Sequence, residues 1–114
     1  MPSRNDLEDR LVDFAFEVCQ LVRRLPVDHI ARHLGGQLLR SGTSAAANYA
    51  EARAGESRRD FTHEIKISLK ELRESLMWLK LIHRLWLLPN HPADSLLREA
   101  EELVAIFVTA ERRK

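Results

Sequence analysis

The sequence predicts an all-α protein, a single domain spanning residues 1–114 and folded as an antiparallel, up-down-up-down bundle of four helices. Three observations carry this. Apolar residues recur at spacings of three and four along most of the chain, which is the period of a helix face and not of a strand. Four glycines and four prolines in 114 residues supply too few turns for an all-strand fold, and Pro26, Pro89 and Pro92 fall between the periodic stretches. The length suits one ordinary core and leaves no room for a second.

The first helix is predicted over about 5–25, with Leu7, Leu11, Phe14, Val18, Val22 and Leu25 as its stripe. Asn5 followed by Glu8 resembles a capping box, and Pro26 closes the segment because proline cannot continue the hydrogen-bond ladder. The second, about 28–54, opens on Asp28 as N-cap and carries Ile30, Leu34, Leu38, Ser41, Ala45, Asn48 and Ala52. It also contains Gly35, Gly36 and Gly42, each costing about 1 kcal/mol against alanine inside a helix. With Ala46, Ala47 and Ala50 they read as a helix that admits a neighbour's backbone closely; the alternative is a break near Gly35-Gly36. Gly55 is a natural stop and Ser57 a natural N-cap. The third helix, about 57–88, has Phe61, Ile65, Leu69, Leu72, Leu76, Leu79 and Trp86 on one face. The fourth, about 93–112, has Leu96, Leu97, Ala100, Leu103, Val104 and Phe107.

Composition narrows the function. Hydrophobic residues at 45% and charged residues at 31% describe a chain that folds. Eighteen basic against 17 acidic residues leave a formal charge of +1, which argues against a protein that coats nucleic acid or anionic membrane. A single cysteine excludes an intrachain disulfide framework and a multi-cysteine zinc site. The opening MPSRNDLEDR lacks the apolar core of a secretory signal. The longest apolar stretch, Leu76–Leu88, is interrupted by Lys80, His83 and Arg84 and is too short to span a bilayer. A cytoplasmic protein without a membrane partner is the expectation.

Two helices are apolar on more than one side. Ile67, Trp78, Leu81 and Leu85 form a second stripe on the third helix, roughly 200° from the first. Val12, Phe16 and Cys19 lie off the main stripe of the first. Aligned residues of this size predict an interface between copies of the chain; scattered surface hydrophobes are the plainer alternative. Polar residues are ordered too. Gln37, Arg40, Ser44, Asn48 and Glu51 follow one edge of the second helix, and Glu71 and Glu74 stand on the third, where Arg40 can pair with either.

Catalytic readings find little support. Carboxylate-rich bundles that hold two irons use Glu-x-x-His on two helices, and no Glu here has His three residues later. His29 and His33 have a chelating spacing but only Asp28 nearby, and Arg32 beside them opposes a cation. No nucleophile elbow, phosphate loop or dinucleotide fingerprint occurs. No metal, cofactor or enzyme activity is expected. One end of the predicted bundle collects Arg4, Arg53, Arg58, Arg59, Arg112, Arg113 and Lys114, a possible phosphate-tracking cluster. Asp6, Glu8, Asp9, Glu56, Asp60 and Glu111 share that end, and no aromatic stacking platform accompanies it.

The string QLLRSGTSAAANYAE, Gln37–Glu51, resembles the signature of the four-helix bundle protein family, also called the 23S rRNA-intervening sequence protein or S23 family. Gln37, Arg40, Ser44, Asn48 and Glu51 sit on its signature positions. Phe61–Lys80 resembles the family's third helix, with Glu71 and Glu74 on its acidic positions and Trp78 on its aromatic one. Ala52 stands where the family usually has Gly, and Ala45 where a larger apolar residue is common. The resemblance covers about Leu7 to Leu88 and implies a left-handed bundle assembled as a homo-oligomer, with pentameric rings the expected form. It implies no enzyme activity, and nucleic-acid binding has been suggested for relatives. The expected function is a self-associating interaction or scaffold module with a protein partner; nucleic-acid binding through the basic end is the alternative.

Overall fold

The computed structural model describes residues 4–54, 57–86 and 88–112, with side chains from Asp6 onward. Its helices are α1 (Arg4–Arg23), α2 (His29–Ala54), α3 (Arg58–Leu85) and α4 (Pro92–Arg112). No strand occurs among the described residues. The four pack around one core into a rod of 44 × 24 × 19 Å. α1 packs on α2 and α4, and α3 packs on α2 and α4, so α1 and α3 occupy opposite corners. Contacts between neighbours run in opposing chain order: Val22 with Gly35 and Val18 with Gly42, then Ser41 with Ser75 and Ala45 with Ser68.

The leucine stripes form the core. Leu11, Phe14, Val18, Leu38, Leu72, Leu79, Leu103 and Phe107 are almost wholly shielded from water. Tyr49 is buried with them and meets Phe107 edge to face, ring centroids 5.6 Å apart. α2 runs unbroken through Gly35-Gly36. A Cβ on Gly42 would lie 3.2 Å from Val18, and one on Gly35 would lie 3.2 Å from Val22. Those two glycines therefore let α1 settle close against α2, as the small-residue reading anticipates.

Some boundaries and stripe members differ from the sequence reading. α1 begins at Arg4, so Asn5 lies inside the helix and does not cap it; Glu8 binds Arg53 of α2 instead of closing a box. α1 stops at Arg23, and Arg24 and Leu25 tighten into i to i−3 bonds before Pro26. Leu21 takes the deep position and Val22 sits half-buried. Ile30 is 58% exposed, because in the first turn of α2 it is Ala31, 3% exposed, that faces the core, and α1 has already ended beside Ile30. Asn48 is half-buried while Tyr49 fills the core beside it.

α3 ends at Leu85, three residues short of the predicted Leu88. Trp86 turns to extended backbone, φ −134° and ψ 105°. Leaving the helix brings both Trp86 and Leu88 onto the core, and Pro89 disfavours a helical residue before it. The turn that follows has Pro89 second and Asn90 third at φ 66°, closed by His91 N–H to Leu88 O at 3.1 Å. This is the pattern of a type II turn. Arg24 donates to Pro89 O at 3.0 Å and ties the α1–α2 connection to that turn.

Two predicted caps are present. Asp28 Oδ1 accepts from Ala31 N–H at 2.8 Å, and Ser57 Oγ accepts from Asp60 N–H at 3.0 Å. Gly55, read as a helix stop, lies outside the described residues.

Candidate functional site

The polar residues singled out in the sequence converge on the seam between α2 and α3. Arg40 forks across it, Nη1 to Glu71 Oε2 at 3.2 Å and Nη2 to Glu74 Oε1 at 2.9 Å. The two ends of this bridge differ: the Arg40 side chain is 51% exposed and that of Glu71 11%. Gln37, Ser44 and Asn48 are half-buried along the same edge of α2, and Glu51 is exposed beyond them.

Beneath the fork lies a hydroxyl layer of which the sequence reading places only Ser41 on a core stripe and misses Ser68 and Ser75. Ser41 Oγ and Ser75 Oγ are 2.7 Å apart and fully buried. Ser41 Oγ also lies 3.3 Å from Leu38 O, so its hydroxyl is held both by Ser75 and by the backbone of its own helix. Ser68 donates to Ala45 O at 3.2 Å. Small hydroxyl residues bring the two backbones close while satisfying each buried polar atom. The signal was available, since Ser68 and Ser75 are seven apart on the core side of α3, but polarity alone assigns serine to water.

This seam organises structure. Both carboxylates are committed to Arg40, and the hydroxyls to each other or to backbone. Elsewhere, Arg10 of α1 bridges Glu99 at 2.7 Å and Glu102 at 3.2 Å on α4. Its hydrogen bond to Glu99 raises the guanidinium above its ordinary value. Among the described residues no group of three or more His, Cys, Asp or Glu has the geometry to hold a metal ion. His29 and His33 are exposed, and the His33 ring meets Trp78 edge-on at 6.0 Å.

The second apolar faces lie as follows. On α1, Val12 and Phe16 are exposed and Cys19 is half-buried. On α3, Leu81 and Leu85 are exposed, while Ile67 and Trp78 are half-buried. Trp78 Nε1 is shut off from solvent with no hydrogen-bond partner among the described residues. At the basic end, Arg58, Arg59 and Arg112 are exposed, whereas Arg53 is engaged by Glu8 at 2.5 Å. The side chain of Arg4, and Arg113 and Lys114, lie outside what is described. No helix among the described residues is long and apolar enough to cross a membrane.

Fold and seam together define a small helical protein whose ordered polar residues lock two helices together. Residues 5–109 match the model of the 23S rRNA-intervening sequence protein family, and the chain belongs to that family. It is similar, at 28% identity and a TM-score of 0.80, to the crystal structure of a protein of unknown function from the S23 ribosomal protein family of Bacteroides thetaiotaomicron. That likeness covers 96% of this chain and 97% of the other. No curated protein matches the chain.

Proposed function

We propose that this chain is a non-enzymatic, cytoplasmic module, an antiparallel left-handed bundle that self-associates and serves as an interaction scaffold, with a pentameric ring as its form. The observation that carries this is the exposure of aligned large hydrophobes: Phe16 59%, Val12 53%, Leu85 50% and Leu81 38%. A lone soluble rod has no stabilising use for such faces, and burying them against another copy removes apolar area from water at ~25 cal/mol per Å².

The test is mass in solution. Light scattering of the wild type should give a multiple of the 13.2 kDa chain. Trp78→Glu with Leu81→Glu should give smaller species of unchanged helicity. A wild-type monomer at micromolar concentration, or an unchanged assembly in the variant, defeats the proposal.

A second reading, phosphate binding at the basic end, has the exposed Arg58, Arg59 and Arg112 in its favour and the Arg53–Glu8 pair against it. Filter binding at two salt concentrations separates the two, because phosphate contacts weaken steeply with salt. A protein partner that stays bound after nuclease treatment supports the scaffold.

A further inference from the structure

We infer that the corner where the α1–α2 connection meets the α3–α4 turn docks on an anionic bilayer surface. Val27 and Ile30 enter the boundary between headgroups and acyl chains, and the arginines around them meet lipid phosphates.

The apolar part is unusual for the end of a rod. Val27 is 95% exposed and Ile30 58%. Residues Pro26 to Ile30 are exposed one after another, so the corner is a projection and not a groove. Its backbone is fixed from both flanks. Arg24 and Leu25 donate to Leu21 O and Val22 O at 3.0 and 3.2 Å, and Leu25 is buried. Pro26 restricts its own φ. Asp28 then starts α2, its carboxylate accepting from Ala31 N–H at 2.8 Å and its carbonyl from Arg32 N–H at 2.9 Å. Arg24 also donates to Pro89 O at 3.0 Å, which holds the two connections together. Two aliphatic side chains are thus presented by a turn that needs little further ordering to bind.

The charge around them is of one sign. Residues 20–33 and 81–97 make up this end of the bundle, and they contain Arg23, Arg24, Arg32 and Arg84 against Asp28 and Asp94. All four arginines are exposed. Both carboxylates are already engaged, Asp28 by the cap of α2 and Asp94 by His83 at 3.3 Å. The formal total of +1 hides this local excess. Each arginine brought to an anionic leaflet strengthens binding about fivefold. A modest apolar insertion together with a basic patch is the combination that holds a protein at an interface which neither would hold alone.

The chemistry favours lipid over other anionic partners. A folded protein partner needs a broad complementary face, whereas a fluid interface accepts two projecting aliphatic side chains. Nucleic acid would use the arginines but gains nothing from Val27 and Ile30, and the corner offers no exposed aromatic ring for a base to stack on.

The test is sedimentation of the full chain with vesicles of equal parts phosphatidylcholine and phosphatidylglycerol, beside vesicles of phosphatidylcholine alone. The mixed vesicles should carry the protein down, less so as salt rises, and the neutral ones should not. Val27→Ser with Ile30→Ser leaves the charge unchanged and should weaken binding about tenfold or more. Arg23→Gln with Arg32→Gln should do the same at low salt. Arg58→Gln with Arg59→Gln, at the opposite end of the rod, should leave binding as it was. Each of these side chains is exposed, so far-UV helicity should not change; Val27→Ser alone serves if the pair perturbs it. Absence of binding to mixed vesicles overturns the inference. So does full binding by the serine pair, or an equal loss from the Arg58 and Arg59 pair, since either would mean attraction by charge alone. Retention on single-stranded DNA without vesicle binding would assign the arginines to nucleic acid and overturn it as well. Val27 and Ile30 are not among the residues proposed for self-association, so the mass in solution is read independently of every arm.

Discussion

Arg40 and Glu71 show how one ion pair can hold two environments. Glu71 is nearly enclosed and relies on the guanidinium, while Arg40 has water on its other side. Removing the arginine strands a mostly buried carboxylate; removing an exposed arginine such as Arg58 strands nothing. Arg40→Ala should therefore cost about 1–2 kcal/mol and lower the melting temperature by several degrees, with Arg58→Ala near neutral. Equal melting temperatures for the two would show that Glu71 does not depend on Arg40. The glycines give a second pair. A Cβ on Gly36 would meet no atom within 4 Å, so Gly36→Ala should stabilise by up to about 1 kcal/mol through helix propensity. Gly42→Leu should destabilise, because even a Cβ there stands 3.2 Å from Val18. Thermal melts of both variants check the signs. The Arg40 partnership was legible from spacing. Which of three glycines is needed was not, since only the approach of α1 distinguishes Gly35 and Gly42 from Gly36.

At the scale of elements, the α2–α3 seam is the most specific contact in the molecule. Ser41→Ala or Ser75→Ala alone should cost about 1 kcal/mol or somewhat more by leaving one buried hydroxyl without its mate. The double replacement should cost less than the sum, and a double-mutant cycle on denaturant midpoints measures the difference. Strict additivity would mean that the hydroxyls do not act as a pair. Helix number and the leucine stripes were legible because their period is local. Ser41 fell on its helix's stripe, but Tyr49, Ser68 and Ser75 were not legible, because each is polar by type and buried only once another helix covers it. The end of α3 was overrun for a related reason: nothing local distinguishes Trp86 from the turns before it, and its release depends on core space reached by Trp86 and Leu88 together.

For the whole molecule, the seam serves the fold, and the outward faces of α1 and α3 leave Val12, Phe16, Leu81 and Leu85 exposed, the faces proposed above for self-association. The two roles separate by experiment. Arg40→Ala should lower stability while leaving the wild-type mass, and Phe16→Glu should lower the mass while leaving far-UV helicity. If Arg40→Ala disassembled a protein that stayed folded, the seam itself would belong to the joint. The second apolar faces were legible as stripes of helical period on sides that a single core does not use. The division of charge between helices was not, because the total of +1 conceals a basic α3 and an acidic α1. The buried hydroxyl layer also sets a clock. Where Ser41 meets Ser75 and Ser68 meets Ala45, the mid-helix amides of α2 and α3 can reach deuterium only when the two rods part as one cooperative unit. Those protons should be the last to exchange, well after the first turn of α2, where Ile30 already lies open to the solvent.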